Sequence, residues 1–91
     1  MKYTIVTTRQ FDKDLKRCKK RSLPLQKLFD VVNKLSMGMP LEPKHKVHKL
    51  SGNHEGQWEC HIMPDWLLVW EIHEGELKLL LVRTGTHSDL F

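Results

Sequence analysis

The chain is poor in cysteine, with Cys18 and Cys60 alone among 91 residues. Two thiols cannot build a disulfide scaffold, and both are expected to be reduced and buried. No apolar run approaches the ~20 residues that a membrane span needs. The opening MKYTIVTTRQ alternates like a strand and lacks the apolar core of a signal peptide, so the expectation is a cytoplasmic protein with no membrane partner. Internal repeats and low-complexity segments are missing too. Ninety-one residues point to one small domain, residues 1–91.

Acidic residues are scarce in the first half and basic residues in the second. Residues 1–50 carry 13 Lys+Arg against 4 Asp+Glu, a balance of +9; residues 51–91 carry 2 against 7, a balance of −5, and the two give the net +4. A basic half favours a polyanion through counterion release, or an acidic protein partner. The plainer alternative is a solvated helix surface.

Hydrophobic periodicity supplies the elements. Lys2 to Thr7 reads as a first strand. Phe11, Leu15 and Cys18 then fall on one helical face, with capping-box spacing between Thr7 and Gln10. Lys13, Lys16, Arg17, Lys19, Lys20 and Arg21 take the other face. Ser22 is a candidate cap for a second helix, whose stripe is Leu25, Leu28, Phe29, Val32 and Leu35 and whose end is marked by Gly38 and Pro40. Residues 38–55 have no clean period and read as a long loop with a short extended piece at Lys46 to Leu50. Three strands follow, at Gln57–Met63, Trp66–His73 and Glu76–Arg83, joined by turns at Pro64-Asp65 and Glu74-Gly75. Those turns set His61 opposite Leu68, Ile72 opposite Leu77, Trp70 opposite Leu79 and Leu68 opposite Leu81. His61, Trp70, Leu79, Leu81 and Arg83 then share one face. Trp58, Cys60, Ile62, Val69, Leu80 and Val82 share the other, which the helices cover. The order β-α-α-β-β-β defines an α+β fold with a mostly antiparallel sheet.

Six histidines stand out, and His45, His48, His54, His61 and His87 lie in loops or beside turns. Histidine serves as general base or general acid near neutral pH. Metal-free RNA cleavage needs both: a base for the 2′-hydroxyl and an acid for the departing 5′-oxygen. Arg83 is the sole arginine of the second half, and its fork suits phosphate oxygens. Asp65 can orient a histidine. The competing use is zinc, with His45, His48, His54, Cys60 and His61 as ligands, although the spacing matches no familiar structural site. Surface histidines with no role are the bland reading. Trp58 and Trp70 read as core. Trp66 and Phe91 either pack or stack on a base.

Certain segments resemble the RelE/ParE superfamily of type II toxins, and within it the YafQ branch. They are Phe11-x-Lys13-Asp14, Leu50-x-Gly52, Trp58-Glu59-x-His61-Ile62-x-Pro64-Asp65-Trp66-Leu67-Leu68-Val69 and Arg83-Thr84-Gly85-Thr86-His87-Ser88-x-Leu90-Phe91. The resemblance implies a ribosome-dependent mRNA endonuclease that enters the A site and works without a cofactor. It also implies a small cognate antitoxin, with operator DNA bound only through the toxin–antitoxin complex. Carried over, the site holds His48, His61, Asp65 and His87 as catalytic residues, with Trp66, Arg83 and Phe91 on the RNA. The lysines Lys16, Lys19 and Lys20 are assigned to the ribosome from the charge balance. Trp58 stands where the branch often has arginine, His54 where it has an aromatic residue, and Trp70 where it has tyrosine. Two rival functions keep the fold or the charge: a ParE-like toxin that binds gyrase, and a non-catalytic RNA-binding module.

Overall fold

A computed structural model describes residues 2–91. Five strands form one sheet: β1 (Thr4–Thr7), β2 (His48–Lys49), β3 (Trp58–Met63), β4 (Trp66–His73) and β5 (Lys78–Gly85), in the order β1-β5-β4-β3-β2. Only the β1–β5 pair is parallel, so the sheet is mixed and mostly antiparallel. The helices α1 (Arg9–Lys20) and α2 (Leu25–Ser36) separate β1 from β2, and a single turn of helix, α3 (His87–Leu90), follows β5. The extended piece expected at Lys46 to Leu50 is the edge strand β2, and the tail is helical. No helix among the described residues is long and apolar enough to cross a membrane.

The caps sit slightly off the expected positions. Thr8, not Thr7, caps α1, its Oγ1 accepting from the Phe11 N–H at 2.9 Å. Ser22 does not cap α2; it turns the chain with φ 59, and Pro24 precedes the first helical residue. Gly38 adopts φ 72 just past α2, where the left-handed turn favours glycine. Phe29 is exposed, and Val31 takes the buried place on that helix.

Both faces of the sheet differ from the sequence expectation because each antiparallel ladder of the long strands holds a bulge; in β5, Val69 pairs with Arg83 and Trp70 with Leu81, so Val82 is the extra residue and Arg83 turns to the face of Val69. The Pro64-Asp65 turn is present, with Met63 opposite Trp66, but a bulge between His61 and Met63 moves His61 opposite Leu67. A one-residue shift exchanges faces. Trp58, Cys60 and Ile62 therefore share the helix-covered face with Leu68, Trp70, Leu79 and Leu81, which join Phe11, Cys18, Leu28 and Leu35 in one core. Val69 moves to the opposite face with His61. The second hairpin also differs: Glu74–Glu76 forms a short 3-10 turn, Leu77 takes φ 51, and Ile72 pairs with Leu79. Both cysteines are free and buried, as expected. Burial pushes the Cys60 thiol up to about 12, so it is not a nucleophile at neutral pH.

An ion network fastens the C-terminal end of β5 to α1. Asp14 is fully buried. Its carboxylate accepts from Arg83 Nε and Nη2 at 3.0 and 3.1 Å, Arg17 Nη2 at 2.8 Å, Gln10 at 3.0 Å and the Thr84 N–H at 3.2 Å. Burial alone, the largest influence, would raise this carboxyl. The bonds from Arg83, Gln10 and Thr84 and the charge of Arg83 together bring it below its usual range. Asp89 of α3 accepts from Arg21 Nη1 at 2.6 Å and closes a capping box with Thr86. The Arg21 bond, then the Thr86 N–H, holds Asp89 far below the usual carboxylate range.

Acid should therefore loosen this end of the molecule. Both carboxyls are depressed in the folded state, so their contribution is complete above the unfolded value of about 4 and is lost as pH falls below it. Replacing Asp14 by Asn leaves Arg83 and Arg17 without their charge partner and should cost roughly 3 kcal/mol in urea unfolding at neutral pH. The variant should also lose less stability than the parent between about pH 5 and about pH 3; parallel pH profiles would contradict the assignment.

Candidate active site

The two bulges that rearranged the faces also gather the site. Residues directly opposite in a ladder share a face. His48 lies opposite Glu59, Glu59 opposite Val69 and Val69 opposite Arg83, one row across four strands. His61 follows Glu59 by two residues on β3 and so shares that face. It lies opposite Leu67, which lies opposite Gly85. Gly85 is the pivot. It has φ 155, and a side chain there would meet Asp89 Oδ2 at 2.8 Å. From it the chain enters α3, which carries His87 back over the face.

His87 and Asp65 meet across the turn. His87 Nδ1–H donates to Asp65 Oδ1 at 3.0 Å, and the His87 backbone N–H reaches the same oxygen at 3.3 Å. The side-chain bond from His87, then its backbone bond, holds Asp65 below its usual range. His61 Nδ1–H donates to the Pro64 carbonyl at 3.1 Å. The rings of His61 and His87 have centroids 5.8 Å apart. In both, Nδ1 is tied down and Nε2 makes no bond to any of the described residues. Of the four residues read as catalytic from the sequence, His61, Asp65 and His87 lie together.

His48 is placed differently. Its Nδ1–H donates to the Lys46 carbonyl at 2.9 Å, and its Nε2 lies 3.2 Å from Glu59 Oε1. It sits diagonally from His61, roughly 7–8 Å away by strand geometry. Glu59 was missed as a site residue in the sequence. It is 5% exposed, and its Oε2 is buried without a partner. Strict alternation with His61 was the available signal, but an acidic residue inside an apolar strand reads locally as a solvent-side position.

Two assigned RNA contacts change character. Trp66 is 2% exposed, packed in the core, and its Nε1–H donates to Thr84 Oγ1 at 2.9 Å. It supports the turn from beneath and cannot stack on a base. Arg83 is held by Asp14 through Nε and Nη2. Nη1 remains, beside a pocket of about 110 Å³ that Phe91, Leu90 and His54 also line. Phe91 is 61% exposed and meets the His54 ring in a T-shaped contact at 5.4 Å. Lys16, Lys19 and Lys20 are exposed on α1, away from this face.

The zinc reading does not survive the placement. Cys60 is in the core, His54 lies against Phe91, and His45 Nδ1–H donates to the His61 carbonyl at 2.7 Å. No three His, Cys, Asp or Glu side chains among the described residues converge as a metal-binding group.

Known proteins match nearly the whole chain in sequence and fold. Residues 3–91 fit the family described as "Bacterial toxin of type II toxin-antitoxin system, YafQ". The mRNA interferase toxin YafQ of Escherichia coli (strain K12) is 35% identical over 83 residues, 90% of this chain and 88% of that protein. The crystal structure of a metal-bound toxin from Helicobacter pylori is 47% identical, covers 98% of this chain and 99% of its own, and superposes with a TM-score of 0.93. The toxin–antitoxin complex of E. coli DinJ and YafQ matches all of this chain and 99% of that one, at 33% identity and a TM-score of 0.88. The chain belongs to the YafQ family of toxins of bacterial type II toxin–antitoxin systems.

Proposed function

We propose that this chain is an mRNA endonuclease of a toxin–antitoxin pair, acting on the ribosome by general acid–base catalysis. The observation that carries the reading is the facing pair His61 and His87, each with Nδ1 fixed and Nε2 free. The nucleophile is the 2′-hydroxyl of the RNA. The free Nε2 of His61 takes its proton, O2′ bonds to the adjacent phosphorus, and the bond from phosphorus to the 5′-oxygen breaks. His87 Nε2–H protonates that oxygen. The products are a 2′,3′-cyclic phosphate and a 5′-hydroxyl.

The division of labour follows from the partners. The neutral Pro64 carbonyl on Nδ1 suits a neutral His61 with its lone pair on Nε2. The ionised Asp65 suits a His87 ring that carries both protons. His48 is the weaker base candidate, because Glu59 already faces its Nε2. Arg83 and the exposed Phe91 line one small pocket on the same side of the sheet and supply charge and stacking for the strand. No step here passes through a metal. A gyrase-binding toxin or a passive RNA-binding module has no use for a paired acid and base.

The antitoxin is proposed as the cellular inhibitor, as in the DinJ–YafQ complex, with operator DNA reached through that complex. The exposed cations of α1 are proposed to dock on the ribosome. Lys16, Lys19 and Lys20 have no ion-pair partner among the described residues, whereas Arg17 and Arg21 are taken by Asp14 and Asp89.

His87→Ala and His61→Ala should each lose about 10²–10⁴-fold in cleavage by programmed ribosomes while keeping antitoxin and ribosome binding. EDTA should leave the parent's rate unchanged where the ribosome stays intact. Full activity in His87→Ala, or cleavage abolished by EDTA, would overturn the mechanism. Reversing Lys16, Lys19 and Lys20 to Glu should weaken ribosome binding and flatten its dependence on salt, with folding retained. Unchanged affinity in that triple variant would remove the docking role.

A further inference from the structure

A second cationic feature opens beside His61, and none of its lysines belongs to the site described above. The segment before β2 folds into a 3-10 turn, Pro43–His45, that packs on β3 through the bond from His45 Nδ1 to the His61 carbonyl. Lys46 leaves this turn with φ 47, an unusual conformation for lysine, and its carbonyl accepts from His48 Nδ1. Across from the turn, α2 presents Lys27. Between them runs a groove of about 400 Å³ lined by Lys27, Lys44, Lys46, His45 and His61, and no carboxylate lines it.

The cations are largely uncommitted. Lys27 and Lys46 have no ion-pair partner among the described residues. Lys44 has one loose contact, 3.7 Å to Glu42, which Lys34 shares at the same distance. Further along α2 the groove continues into a region where Asp30 and Glu42 join the lining, so the unbalanced positive charge is confined to the end next to His61. Three ammonium groups gathered in one groove with a single shared carboxylate at its margin repel one another, and an anion relieves that repulsion. The groove meets the active site at His61 itself, so the anion that fits is joined to the one being cut.

We infer that Lys27, Lys44 and Lys46 form a backbone subsite that takes a phosphate of the single-stranded RNA next to the scissile one. This rests on the nuclease reading for its substrate but not for its geometry. The strained Lys46 turn then has two jobs: it aims one lysine into the groove and fixes the ring of His48.

The test uses a short 2′-O-methyl RNA that cannot be cleaved, so binding is read separately from chemistry. Titration of the full chain with a fluorescent pentamer at several salt concentrations gives affinity and salt slope. Lys27→Gln combined with Lys46→Gln should bind roughly tenfold more weakly at low salt, with a slope lower by about 0.7, the loss of one single-strand phosphate contact. A control pair with the same charge change outside the groove, Lys2→Gln with Lys78→Gln, should bind as the parent does. No measurable binding by the parent, or equal weakening in the two double variants, would overturn the subsite. Failure of the nuclease reading would show elsewhere, as undiminished cleavage by His87→Ala.

Discussion

The carboxylate of Asp14 holds the working half of this molecule in place. It is fully buried and accepts from two guanidinium groups, an amide side chain and a backbone N–H. A buried charge is tolerated only with such a set of donors. The donors come from α1 and from the end of β5, beyond Leu81, where the paired length of β1 stops. Asp14 thus replaces a missing strand partner: it fixes Thr84 and Arg83 where the ladder no longer can. Arg17 lies between Asp14 and Asp89, 2.8 Å from the first and 3.8 Å from the second, and carries the connection into α3. Through this chain of charges the placement of His87 depends on helix α1, which holds no catalytic group.

The same arrangement separates stability from chemistry. One sheet face is closed by two helices and holds three tryptophans, with Trp66 tied to Thr84. The other is left for His48, Glu59, His61 and Arg83, and only the short tail crosses it. Leu67 and Val69 are still buried on that side, so the tail also covers apolar surface. A single turn of helix is weak by itself. Its capping box, its bond to Arg21 and its contact with Asp65 are what make it a defined carrier of His87.

Much of this was legible in the sequence because it is local. Periodicity marked both helices, three long strands and the Pro64-Asp65 turn, while the grouping of His61, Asp65 and His87 came from the resemblance to the YafQ branch. What was not legible depends on distance or on an extra residue. The bulge after His61 has no signature in Cys60-His61-Ile62-Met63, yet it moves Trp70, Leu79 and Leu81 across the sheet. Asp14 looks like an ordinary early-helix acid, and nothing near it announces Arg83, 69 residues away. Trp66, following a turn, read equally as packed or stacked on a base, but Thr84 offers its indole N–H a buried acceptor. Glu59 was hidden by its apolar neighbours.

The central claim is that two histidines move protons to and from the RNA's own 2′-hydroxyl. Its most direct measurement is cleavage of an mRNA on the ribosome with a single 2′-deoxynucleotide at the cut site, followed by chemical mapping of the ends. The account predicts no cleavage at that linkage, and a 2′,3′-cyclic phosphate with a 5′-hydroxyl on the unmodified message. Cleavage of the deoxy-substituted linkage, or a 5′-phosphate on the product, would contradict it.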